Sequence, residues 1–197
     1  MPLNAAIPVD DQTPDTALLV AVGNGDSAAA RLLVARLTPR LFNHAARVLG
    51  DRTEAEDVVQ ETLLRLWKIA PDWRQGQAQV STWCYRVLVN LCTDRLRARL
   101  PSVDIDAIAE PPSDLKSAVE AMTDAARSDA LRSALSALPD RQRQAVVLRH
   151  IEELGNAQIA EIMDISVEAV ESLVARGKRT LTAALEGRRD DLGYDHD

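Results

Sequence analysis

Aromatic residues are nearly missing from this chain, at 3% of 197 residues: one Phe, two Tyr and three Trp. Glycine is scarce too, with eight, and the two shortages together argue for helices rather than sheets. No apolar run approaches the roughly 20 residues that a membrane-spanning helix needs, and the N-terminus has no basic stretch followed by an apolar core. A cytoplasmic chain with no membrane insertion is expected. Only two cysteines occur, Cys84 and Cys92. On one helix they would sit about 12 Å apart along the axis, too far for a disulfide, so both read as small apolar residues of a reducing compartment. His44, His150 and His196 are scattered without metal-ligand spacing. A glycine-rich phosphate loop is absent, as is any suggestive set of serine, histidine and acid. No metal, cofactor or catalytic residue is therefore expected, and an enzyme is the weakest class. Positive charge is also in short supply, since 23 basic residues face 30 acidic ones for a net charge of −7.

What is present centres on Asp51 to Arg99. In its first half Ala55, Val58, Val59, Thr62, Leu63, Leu66 and Ala70 recur every three or four residues, the stripe of a helix facing a core. Asp57, Gln60, Glu61, Leu64 and Lys68 share a second face, an acidic and amide surface around one leucine. Periodicity alone fits a solvated face with a stray leucine as well as a docking face with an apolar anchor. Pro71 and Gly76 mark a polar turn. The second helix is expected from Ser81, as its cap, to Arg99, with Cys84, Val87, Leu88, Leu91 and Leu96 on an apolar side. Arg86, Asn90, Thr93 and Arg97 fall on another side. From Ser81 to Arg99 four arginines face Asp94 alone, a reversal of the chain's overall sign. Trp73, Trp83 and Tyr85 are interleaved with them, as where phosphates are neutralised and unstacked bases lie on ring faces. A buried Trp83 with arginines turned to water explains the same letters.

Read whole, AEDVVQETLLRLW, a polar loop and STWCYRVLVNLCTDRLR resemble the central region of bacterial sigma factors, in particular the short extracytoplasmic-function (ECF) subgroup of the sigma-70 family. The family pattern is roughly A-E-D-x-x-Q-E-x-x-x-x-x-W, then T-W-L-x-x-I-A-x-N-x-x-x-D-x-x-R. Ala55, Glu56, Asp57, Gln60, Glu61, Trp67, Thr82, Trp83, Asn90, Asp94 and Arg97 match it in register. One departure is Leu88-Val89-Asn90, where the family's A-R-N carries an arginine.

The expected architecture is all-α, two small helical domains joined by a flexible acidic linker. Residues 1–14 read as a disordered leader, with three prolines and little periodicity. Residues 15–100 form the first domain. Its opening helix starts at Asp15 or Thr16 and ends at Gly23-Asn24-Gly25. The next starts at Asp26 or Ser27 and runs to Gly50, with Pro39 expected to kink it or end its first half. Residues 101–117, with two proline sites, four acids and one lysine, read as the linker; the resemblance implies an acidic strand in a basic channel of the polymerase. The second domain spans 118–187, beginning with a helix from Ala118 to Pro139, and 188–197 is an acidic tail.

The second motif lies in LPDRQRQAVVLRHIEELGNAQIAEIMDISVEAVESLVARGKRTLTAAL. A helix after Asp140, a short helix opened by Asn156, the turn Asp164-Ile165-Ser166 and a longer helix capped by Ser166 make a helix-turn-helix. The last helix would present Glu168, Glu171, Ser172 and Ala175 near its start, then Arg176, Lys178 and Arg179. Where the family usually has G-T-V-K-S-R, this chain has Glu168-Ala169-Val170-Glu171-Ser172-Leu173. A glutamate there either accepts a hydrogen bond from cytosine or repels phosphate, and the letters leave both open.

The resemblance implies a dissociable promoter-specificity subunit. Asp57, Gln60, Glu61 and Leu64 would dock on core RNA polymerase at the clamp of its β′ subunit. Trp73, Trp83, Arg86, Asn90 and Arg97 would handle the minus-ten element, with Trp83 bracing from the core and the loop from Trp73 to Gln79 walling a pocket for a flipped base. Glu168, Glu171, Ser172, Arg176, Lys178 and Arg179 would face the minus-thirty-five element, and an anti-sigma partner is expected. The alternative is a stand-alone helix-turn-helix regulator. From Pro139 to Leu185, however, six basic side chains face seven acidic ones, too little cation for phosphate contacts to supply affinity alone.

Overall fold

The computed structural model describes residues 10–74, 79–99 and 128–186, which contain helices and no strand. Helix α1 spans Asp15–Gly23 and stops as the chain reaches Gly25, whose φ of +87° suits glycine. Helix α2 spans Ser27–Leu49. The Asp26 carboxylate caps it by accepting from the backbone N–H of Ala28 and Ala29 at 2.8 and 3.1 Å, and Gly50 in the left-handed region ends it. Pro39 does not divide this helix. Leu33, Leu37, Leu41, Ala45 and Val48 form one buried stripe on both sides of the proline, and that burial offsets the missing hydrogen bond.

Helix α3 spans Arg52–Ile69, capped by Asp51, which accepts from the Glu54 N–H at 2.9 Å. A 3-10 turn over Ala70–Asp72 carries Pro71. Helix α4 spans Val80–Ala98 and starts earlier than expected. Ser81 lies inside it and does not cap it; no side chain caps this end. The start is set instead by burial of Val80, 1% exposed. Of the expected leader, residues 1–9 lie outside the described residues. Residues 10–13 are held by Arg36, which donates to the carbonyls of Asp10, Asp11 and Thr13 and pairs with Asp15 at 3.0 Å.

In the second half α5 covers 128–136, and α6 (Asp140–His150), α7 (Asn156–Met163) and α8 (Val167–Glu186) follow. The expected linker 101–117, the start of the helix expected from Ala118 and the acidic tail 188–197 lie outside the described residues. The turn between α7 and α8 places Asp164 at φ +53°, a conformation Asp tolerates. Ser166 then accepts from the Ala169 N–H at 3.2 Å as the expected cap. Gly177 lets α8 close on α6, since a Cβ there would lie 2.5 Å from Val146 Cγ2.

The inner stripe of α3 is buried as read, at Ala55, Val58, Val59, Thr62, Leu66 and Ala70, with Leu63 half-buried. Helices α1 to α4 pack around it, and α5 to α8 pack around Leu135, Leu138, Ala145, Val147, Leu148, Ile159, Ile162 and Val170. The two units also lie face to face. Helix α4 packs on α7 and α6, and α2 packs on α6, so their cores are continuous.

Candidate functional site

The outer face of α3 carries an exposed leucine beside an apolar groove. Leu64 is 59% exposed, the most exposed large apolar residue among those described. It borders a groove of about 450 Å³ between α2 and α3, lined by Val34, Thr38, Phe42, Val59, Leu63 and Trp67 with Gln60 and Glu56 at the rim. The sequence pointed to Gln60 and Leu64; the α2 wall of the groove it did not. Among the acids on this face, Glu61 pairs with Arg65 at 2.8 Å and Asp57 lies 3.9 Å from Arg95 of α4. Both pairs are solvent-exposed and contribute little to stability, so the carboxylates stay available to a partner.

On α4, Arg86, Asn90 and Arg97 are exposed and Trp83 is half-buried against the core. Trp73 is also half-buried, and its Nε1 is enclosed without a hydrogen-bond partner among the described residues. Its ring therefore packs inward, and a base-stacking role would require it to turn out. Residues 75–78 of the expected pocket wall lie outside the described residues. Cys84 and Cys92 are buried and free. Burial pushes both thiols up to about 12, which makes them inert.

Sequence reasoning missed the neighbouring flank of α4, which meets the second unit through polar contacts. Gln158 of α7 donates to Thr82 Oγ1 at 3.0 Å, and Gln144 of α6 donates to Thr93 Oγ1 at 3.1 Å. Tyr85 donates its hydroxyl to Glu152, and burial together with that carboxylate raises its pKa. Arg86 lies 3.7 Å from Asp164, in the turn of the helix-turn-helix. Arg143 is 8% exposed and donates to Leu135 O, Ser136 O and Leu138 O in its own unit and to Val48 O of α2 at 2.6 Å. The signal that could have exposed this seam is Gln144, a glutamine inside a run of inward residues, together with Thr82, which is buried beside the apolar side of α4.

On α8, Val170 and Gly177 are buried and Leu173, Val174 and Leu181 are half-buried. Leu173, standing where the family has arginine, is thus part of the packed side. Glu168, Glu171, Ser172, Ala175, Arg176, Lys178 and Arg179 are all exposed. The DNA-reading residues expected here lie together on a free surface, acidic near the helix start and basic further along.

Residues 33–100 match the family model described as Sigma-70 region 2, and residues 128–181 match Sigma-70, region 4. The sequence is 29% identical to the ECF RNA polymerase sigma factor SigW of Bacillus subtilis (strain 168) over 174 residues, 83% of this chain and 92% of that protein. Identity to the ECF RNA polymerase sigma-E factor of Escherichia coli (strain K12) is 30% over 183 residues, 88% of this chain and 95% of the relative. Among solved structures, CnrH in complex with the cytosolic domain of CnrY is similar with a TM-score of 0.66 at 27% identity, covering 88% of this chain and 97% of CnrH. The sigma factor RpoE bound to the anti-sigma factor NepR from Bartonella quintana shares the fold, with a TM-score of 0.62 at 23% identity over 78% of this chain and 94% of that one.

Proposed function

The chain belongs to the sigma-70 family of RNA polymerase sigma factors, in its ECF subgroup, and from that premise we propose that it carries core polymerase to promoters through three surfaces of its own. As a sigma factor it is a non-enzymatic factor of transcription initiation. The working units are residues 15–100 and 118–187, acting in the bacterial cytoplasm. Asp57, Gln60, Glu61 and Leu64 grip the clamp of the β′ subunit. Arg86, Asn90 and Arg97, braced by Trp83 and bordered by Trp73, hold the unstacked minus-ten strand, where rings and cations suit single-stranded bases. Glu171, Ser172, Arg176, Lys178 and Arg179 face the minus-thirty-five element, with Glu168 beside them at the start of the helix.

The observation that carries this reading is the exposed Leu64 beside an apolar groove and within an acid and amide rim, since an anchor ringed by polar contacts is how a stable interface concentrates its affinity. The scarcity of cation on the second unit supports a protein that reaches DNA only when carried by a larger machine. An anti-sigma partner is part of the proposal, because a solved relative is held by one.

The packed seam is the arrangement of the chain away from promoter DNA. With α7 lying between α4 and α8, two helix packings place those axes about 20 Å apart. Elements about 25 base pairs apart are separated by roughly 85 Å of duplex, so the units part before both elements can be held. The test is Leu64→Glu with Gln60→Ala. Both positions are exposed, so the fold should remain while co-purification with core polymerase is lost at least about tenfold. Undiminished binding by the folded variant would remove the docking surface from the proposal.

A further inference from the structure

The two glutamates that replace a neutral and a basic residue on α8 stand in different surroundings. Glu168 lies in the first turn. Its carboxylate accepts from its own backbone N–H and from the Ser166 side chain, and those bonds lower its pKa. Ser166 in turn accepts from the Ala169 N–H, so Glu168 is bound into the helix start, where the dipole favours an anion. Glu171 is one turn further on. It is exposed, it has no cationic partner among the described residues, and its Oε1 accepts from Asn156 Nδ2 at 3.4 Å. Residues 168, 171, 172, 175 and 179 make one exposed stripe opposite the packed stripe of Val170, Leu173, Val174 and Leu181. Glu171 lies in that stripe, in the half of the helix that approaches base edges when a helix-turn-helix binds duplex.

We infer that Glu171, held by Asn156, is a specificity-determining residue that selects cytosine in the minus-thirty-five element, while Glu168 serves only the helix start. An ionised carboxylate is an acceptor and nothing else. In the major groove guanine offers only acceptors, and thymine an acceptor and a methyl group. Adenine sets its N6 donor beside the N7 acceptor, which repels a second carboxylate oxygen. Cytosine offers its N4 donor with no acceptor alongside, and is the base an acceptor-only side chain fits. Asn156 occupies one oxygen and leaves the other for that amino group. The inference rests on α8 being the DNA-reading helix, as proposed above.

The test uses holoenzyme, core polymerase with the full chain, on a promoter library randomised across the minus-thirty-five element, with transcripts counted by sequencing. Wild type should favour cytosine at one position, on one strand, by about five- to tenfold. Glu171→Gln should move the preference at that position to adenine, whose N6 and N7 a glutamine amide matches. Glu168→Gln should leave every base preference as it was. Asn156→Ala, a change at a positioning residue, should flatten the cytosine preference without transferring it to another base. If Glu171→Gln instead raises transcription equally across the library with unchanged preferences, Glu171 merely repels phosphate and the inference is overturned. It is overturned equally if Glu168→Gln shifts the preference as much as Glu171→Gln does. A wild-type holoenzyme that starts no transcripts from any member overturns the proposed function itself, and this inference with it.

Discussion

Replacing Arg143 by methionine asks whether one buried guanidinium joins the two helical units. Four backbone carbonyls accept from it, three in α5 and the turn that follows, and the fourth, Val48 O, in the last turn of α2. Methionine is long enough to occupy much of the space but brings no donor, so Val48 O, Ser136 O and Leu138 O lose their partner together, while Leu135 O keeps the backbone N–H of Leu138 at 3.1 Å. Each buried acceptor left unsatisfied costs about 1–3 kcal/mol. The cation itself is destabilised by burial, which lowers its pKa, so its removal returns part of that sum. The net loss expected for breaking such a buried charged network is about 3–5 kcal/mol, a large share of the roughly 5–15 kcal/mol that holds a typical domain. For a chain of this size the corresponding fall in Tm is about 6–20 °C, read by differential scanning calorimetry. Because the Val48 bond crosses the seam, a second signature is expected: the unfolding transition splits, with the α5–α8 unit melting first. Arg143→Lys, which retains a donor, should fall between wild type and Arg143→Met. A Tm for Arg143→Met within about 2 °C of wild type, with no splitting, would refute the idea that this side chain joins the units.

His44 is fully buried, edge-on to Tyr85, and burial holds its pKa down to about 3. The unfolded chain takes up a proton there below about pH 6.5 while the folded chain does not, so its contribution is full above pH 6.5 and is lost by about 1.4 kcal/mol per unit as pH falls toward 3. His44→Phe should show a shallower decline between pH 6.5 and 5 in denaturant titrations, and identical slopes would count against this account. Separation of the units is measurable with dyes at Asp94→Cys and Thr182→Cys, both exposed positions, since the buried native thiols will not label. Energy transfer should be high in the free chain and nearly abolished on promoter-bound holoenzyme, where the units lie more than about 60 Å apart; high transfer in both states would rule out the parting of the units.

The letters of this chain determined its helices and most of its surfaces, because those depend on local periodicity and composition. The stripe Ala55, Val58, Val59, Thr62 and Leu66 is buried as spacing requires, Ser166 caps α8 as its chemistry allows, and Leu64 stands out because no helical stripe needed it. Local rules failed where tertiary burial outweighed them. Pro39 lies inside an unbroken α2 because one apolar stripe continues on both sides of it, and Ser81 does not cap α4 because Val80 is drawn into the core one residue earlier. The seam between the units was beyond the sequence for a different reason. Arg143 and Val48, or Gln144 and Thr93, are brought together only by the path of the whole chain, and a hydrogen bond between residues 95 apart leaves no period to read. The same holds for the two glutamates of α8. Identical as letters, they differ only in their neighbours: a helix start for Glu168 and an asparagine from the preceding helix for Glu171.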